Sequence, residues 1–170
     1  MSEQQNQLMR LLPFVIPAAA FLIIFGREDR VTVVAEIRDV HKEAEFLAYN
    51  KDEIFTNFIH AENHLRNLVG KSVASSEGSC VVKHLADAEG HANEAISHTA
   101  DLVAHGITTQ GTPEDFKKIK DGLHEVRYKF AEGGYSPEQA ITKLRDVKRQ
   151  FESFNPQFDV SKCKACQIHE

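Results

Sequence analysis

Val31–Val69 reads VTVVAEIRDVHKEAEFLAYNKDEIFTNFIHAENHLRNLV and contains neither proline nor glycine. Apolar side chains recur along it in steps of three and four: Ile37, Val40, Ala44, Leu47, then Ile54, Phe58, Ala61, Leu65 and Leu68, with Lys51 the one interruption. That spacing keeps one face of an α-helix apolar, whereas a strand would alternate every second residue. A single helix of nearly forty residues, on the order of 60 Å long, is predicted here. Such a helix needs partners for its seam, and the rest of the chain supplies them.

A second helix is predicted from about Gly78 to His105, stopped by Gly106. The third opens at Thr112-Pro113-Glu114-Asp115, an N-cap followed by a proline at the first helical position and acids in the first turn. Its seam is Phe116, Ile119, Leu123, Val126 and Phe130. The fourth opens at Ser136-Pro137-Glu138-Gln139 with capping-box spacing, carries Ala140, Leu144, Val147, Phe151 and Phe154, and ends at Asn155-Pro156. No segment alternates like a strand, and the connections are short. An all-α fold follows, an up-down-up-down four-helix bundle over residues 30–157 with a long first helix. The first helix should outreach the others, leaving its lower half as a stalk or docking surface. The C-terminal tail, residues 158–170, should leave from that same end.

Composition narrows the function. The 170 residues are 42% hydrophobic and 26% charged, ordinary globular usage, which excludes a disordered tail or a collagen-like fibre. Lys and Arg number 20 against 25 Asp and Glu, a net charge of -5 with no basic stripe, so no nucleic-acid partner is expected. Three cysteines are too few for a disulfide scaffold. Nine histidines in a chain without tryptophan are the anomaly.

Residues 1–29 are expected to be a short tail and a membrane anchor. Leu11–Phe25 reads LLPFVIPAAAFLIIF, without a polar side chain. It is short of the roughly 20 residues that cross a bilayer, and Leu8, Met9 and a snorkelling Arg10 bring it near the lower limit. A cleaved signal peptide fits less well. The small residues Ala18-Ala19-Ala20 lie inside the apolar run, and Phe25-Gly26-Arg27 is a poor cleavage site. Pro13 and Pro17 would kink the anchor or mark a face packed against other membrane helices. Arg10 precedes the segment while Arg27, Arg30, Arg38 and Lys42 follow it, a bias that leans towards a cytoplasmic bundle.

The second helix carries a stripe. His84, His91, His98 and His105 recur every seven residues, Asp87, Glu94 and Asp101 recur between them, and Cys80 sits one turn before His84. On a helical wheel Val81, Leu85, Ala88, Ala92, Ala95, Ile96 and Leu102 occupy another sector; the histidines border it and the carboxylates lie farther out. One account is helix electrostatics, since an acid four residues before each later histidine is worth about a few tenths of a kcal/mol. The other is metal binding. Residues seven apart are separated by roughly 10.5 Å along the axis, and metal–nitrogen bonds are only about 2.0 Å. No two stripe histidines can therefore share an ion. Each must combine with a carboxylate neighbour, a second helix or another chain. His60 and His64, in His-Ala-Glu-Asn-His, are an i,i+4 pair that can chelate one ion; His41 and His124 lie elsewhere. Imidazole with carboxylate suits copper, zinc, nickel or iron.

His91-Ala-Asn-Glu94-Ala-Ile-Ser-His98-Thr-Ala-Asp101-Leu-Val-Ala-His105 resembles the heptads of the small metal-binding protein family, periplasmic His-rich helical bundles of ammonia-oxidising bacteria. The shared pattern is His, an acid three later, Ala after the acid, and His again at seven, with Leu102 in place of the last Ala. The resemblance covers some 25 residues. It implies loose binding of several divalent metals, copper among them, outside the cytoplasm. The family repeats the pattern on more than one helix and lacks this anchor, so a storage role does not carry over.

The last cluster is Cys163-Lys-Ala-Cys166-Gln-Ile-His169. It resembles the haem-attachment end of cytochromes c prime, but Gln167 stands where that family has its iron-ligating histidine, which argues against covalent haem. Two alternatives stay open: a disulfide between Cys163 and Cys166 or from either to Cys80, or a metal site of two thiolates and His169.

No nucleophile–base arrangement, phosphate-cradling glycine loop or ferritin-type Glu-x-x-His set is present, so a non-enzymatic protein is expected. Metal buffering or delivery, with copper foremost, through His84, Asp87, His91, Glu94, His98, Asp101, His105, His60 and His64 is the first expectation. The second is a structural accessory subunit of a membrane complex, for example a copper-dependent membrane monooxygenase, docked through the anchor and the long first helix. A haem-binding four-helix redox protein is the third. The family likeness and the cysteine usage place the bundle outside the cytoplasm, against the charge bias.

Overall fold

The computed structural model describes residues 27–71 and 76–155, with side chains from Glu36 onward. Four helices follow one another: α1 Arg27–Leu68, α2 Ser76–Ala104, α3 Pro113–Ala131 and α4 Pro137–Phe154. Among the described residues there is no strand.

Local chemistry sets the ends of the two short helices. The Thr112 hydroxyl accepts from the Asp115 backbone N–H while the Asp115 carboxylate accepts from that of Thr112, and Ser136 and Gln139 repeat the exchange. Each box satisfies two of the orphan donors at a helix start, and Pro113 and Pro137 occupy positions where no N–H is needed. Gly111, buried before the first box, has φ +88 and a backbone that Phe154 closes upon. A Cβ there would meet the Phe154 ring at 2.6 Å.

Helix neighbours run in a cycle, α1 beside α2 and α4, α3 beside α2 and α4. Every adjacent pair is antiparallel. Glu43 meets His98 while His64 meets Glu77; Lys120 meets Asn93 while Arg127 meets Glu89; Phe116 meets Phe154 while Gly122 faces Val147; Phe58 meets Phe151 while Glu62 meets Arg145. The molecule is thus an up-down-up-down bundle with a long first helix.

The apolar seams become the core. Leu47, Ile54, Phe58, Ala61, Leu65 and Leu68 of α1, the α2 sector except half-buried Ile96, and all five α3 seam positions are buried. Phe55, Phe58, Phe116, Phe130 and Phe151 are the largest side chains fully inside. Glu62, 8% exposed, ties α1 to α4 through Arg145 at 2.8 Å and its own Arg66 at 2.7 Å. Burial pushes its carboxyl up, and the two guanidiniums outweigh that and hold it below its ordinary value.

One seam position departs from the sequence pattern. Ile37 is exposed, because the antiparallel register sets it level with the last residues of α2 and beyond the reach of α4. The 42 residues of α1 span about 63 Å against about 43 Å for the 29 of α2. The N-terminal part of α1 therefore projects past the bundle, at the end where α4 finishes. No helix among the described residues is long and apolar enough to cross a membrane. The expected anchor Leu11–Phe25, with Pro13 and Pro17, lies outside the described residues, as do Cys163, Cys166 and His169.

Candidate functional site

Three of the four stripe histidines, His84, His91 and His98, face α1. His84 donates its Nδ1–H to Asn57 Oδ1 at 2.8 Å, His91 to Asn50 Oδ1 at 2.8 Å, and His98 to Glu43 Oε2 at 2.5 Å. A fourth rung runs the other way, from His64 Nδ1 on α1 to Glu77 Oε2 on α2 at 2.5 Å. Sequence separations of 55, 41, 27 and 13 fall by equal steps from one rung to the next. As α1 climbs one heptad, α2 descends one, so seven-residue repeats on both helices stay in register across an antiparallel pair.

The acceptors are themselves oriented. Asn50 and Asn57 are almost fully buried, and each turns its amide nitrogen back to the carbonyl four residues earlier, Phe46 and Glu53, at 2.9 Å. That leaves Oδ1 aimed at the histidine. An amide oxygen or a carboxylate only accepts, so Nδ1 of each ring carries a proton and is the atom that makes the rung. Side chains of α1 also cover the rings: Phe46 stacks on His98 at 5.3 Å and Tyr49 meets His91 edge-on at 5.8 Å.

At the end of the ladder nearest the α1–α2 connection, three imidazoles gather. The His84 ring lies 5.1 Å from that of His60 and 5.4 Å from that of His64, with interplanar angles of 20° and 13°. Burial, and then the two neighbouring rings, hold the His84 pKa below its ordinary value, which favours a neutral ring. Cys80 is half-buried one turn away on α2.

The other singled-out residues are dispersed. Asp87, Glu94 and Asp101 are exposed on the outer side of α2. His105, in the turn after α2, is exposed and donates to the Asp101 carbonyl at 2.8 Å; Glu36, one heptad before Glu43, is exposed too. His41 pairs with Glu45 at 3.1 Å, and His124 stands 3.1 Å from Glu89 on the α2–α3 side. Among the described residues, no group of three or more His, Cys, Asp or Glu side chains is placed so that it could hold a metal ion. Phenylalanines fill the core, and among the described residues no histidine is fully buried.

The acid-before-histidine account of the stripe is therefore incomplete. The partners of His84, His91 and His98 are Asn57, Asn50 and Glu43, and sequence reasoning missed all three along with Glu77. The available signal was the matching heptad Glu43, Asn50, Asn57, His64 on the flank of the α1 seam. Compared with protein-family models, characterised proteins and solved structures, the chain matches none.

Proposed function

We propose that this chain is a non-catalytic accessory subunit of a membrane-bound complex, held by Leu11–Phe25 as a single-pass anchor with its bundle outside the cytoplasm. The observation that carries this reading is the projection of α1 beyond its partners, with Ile37, Phe46 and Tyr49 exposed along it. A helix that only closed a bundle would need no such length. The histidine ladder fits a structural role, because its Nδ1 atoms are committed to holding α1 against α2. Native electrophoresis of membranes solubilised from cells that contain the protein tests the reading. The chain should migrate in a large assembly, and Ile37→Glu or a Pro13→Leu/Pro17→Leu pair should release it while helicity is kept. Migration of the unaltered chain on its own would end the proposal.

Metal buffering, copper foremost with zinc or nickel as alternatives, is the second reading. It is favoured by the Nε2 atoms that the rungs leave unused along the stripe, on a helix that also exposes Asp87, Glu94 and Asp101. Several weakly held ions on the purified chain, lost when His84, His91, His98 and His105 become Gln, would move it into first place.

A further inference from the structure

We propose that the outer face of the α1–α2 pair, where Phe46 and Tyr49 stand beside His98 and His91, is the docking surface for a basic helical segment of a neighbouring subunit. The inference rests on the accessory-subunit reading and adds to it the face that docks and the chemistry of what it meets.

Three observations meet on this face. Phe46 and Tyr49, one turn apart on α1, are 51% and 55% exposed although each touches a ladder ring. With the half-buried rings of His98 and His91 they make a strip of four rings, while α4 on α1 and α3 on α2 close the core behind the pair. Next to the strip runs a row of exposed acids. Glu94 lies between His91 and His98 on α2, level with the Phe46–Tyr49 turn, and Asp87 and Asp101 continue the row one heptad to either side. Third, acids elsewhere in the bundle are answered within the chain: Glu62 by Arg66 and Arg145, Glu89 by Arg127, Glu152 by Lys148. Asp87, Glu94 and Asp101 have no ion-pair partner among the described residues.

Together these features select the occupant. An aromatic ring face attracts a guanidinium or an ammonium group, and the acid row beside it supplies the opposite charge. A helix with Arg or Lys every three or four residues, laid along the pair, can set one cation over Tyr49 or Phe46 and the next against Glu94. An acidic segment or an anionic lipid surface would instead be repelled by the row. Exposed carboxylates alone bind weakly, whereas aromatic side chains that keep water from such pairs are the common centres of binding energy. Lys42, exposed one residue before Glu43, opposes the row at its lower edge, so the contact should centre on Glu94 and Asp87 rather than on Asp101.

The test is made in membranes from cells that contain the full chain. A carbodiimide, which condenses a carboxylate with an amine and leaves no spacer, should join Asp87 or Glu94 to a lysine of another polypeptide. Mass spectrometry of the linked peptides should find further Lys or Arg three or four residues from that lysine. Asp87→Lys with Glu94→Lys should cut the fraction of chain retained in the assembly on native electrophoresis by about tenfold, as should Phe46→Ala with Tyr49→Ala. Asp121→Lys, which reverses an exposed acid on α3, should leave it unchanged. Circular dichroism identifies any variant that has lost its fold, and the cross-link on the unaltered chain needs no variant. An unaltered chain that migrates alone ends the accessory reading and this proposal with it. A chain that stays assembled in both double variants, or that Asp121→Lys releases as readily, leaves that reading standing and overturns the face. Links to a second copy of the chain, to a lysine elsewhere in the same chain, or to a segment without further basic residues overturn it too.

Discussion

A ladder rung is worth more for what it prevents than for what it adds. Asn50 is 1% exposed, and its Oδ1 has His91 as donor. In His91→Ala that oxygen stays buried without a partner, a cost of about 1–3 kcal/mol. Asn50→Leu combined with His91→Leu removes both polar groups and should recover most of the loss, at the expense of the cue that sets the helix register. Urea denaturation followed by circular dichroism measures both; a double variant as unstable as the single would refute the account. Lys51 poses a different residue-scale problem. It breaks the α1 seam, donates to the Gln110 carbonyl at 2.7 Å and lies 5.8 Å from the Phe116 ring centroid. Burial lowers its pKa to about 8, against a smaller opposing effect of Asp52. The folded chain then releases this proton before the unfolded one, so its contribution makes stability rise between about pH 8 and the unfolded value of 10.5. Lys51→Met should flatten that rise. Parallel denaturation curves for the two chains from pH 7.5 to 10 would contradict it.

Helix boundaries and seams were legible because they depend on neighbours within four residues. Thr112 and Ser136 announce their capping boxes, and Phe116 through Phe130 announce a buried face. The histidine partners were not legible in that way. They lie 27 to 55 residues off in sequence, and a Glu43-Asn50-Asn57 row looks like a solvent face until a second helix is laid against it. Packing likewise decides what a helical glycine is for. At Gly122 a Cβ would meet Val147 Cγ2 at 2.7 Å, and a β-branched side chain has little room to yield. Gly122→Ala should cost about 1–3 kcal/mol through forced separation of α3 and α4. At Gly90, in the exposed middle of α2, a Cβ would meet nothing within 4 Å, so Gly90→Ala should add up to about 1 kcal/mol from helix propensity. Thermal melts should move in opposite directions for the same chemical change. Equal signs would mean that backbone entropy, not helix approach, governs both positions.

Across the whole molecule, stability should be graded along α1. From Ile54 to Leu68 this helix has α2 on one side and α4 on the other, with Phe58, Ala61 and Leu65 completely buried. Below Leu47 the Glu43–His98 rung and the Phe46–His98 stack hold it to the end of α2, and Ile37 is exposed. Isolated helix without an apolar partner face is marginal in water, and local opening free energies follow the packing around each turn. In the purified chain, amides of 36–46 should therefore exchange with deuterium orders of magnitude faster than those of 54–65. If α1 is a docking stalk, the same 36–46 amides should become protected in the native membrane assembly while 54–65 change little. Protection already equal along α1 in the purified chain would mean that the lower half finds its cover within the chain itself. The docking role would then lose its main support, because a stalk already covered has no face left for a partner.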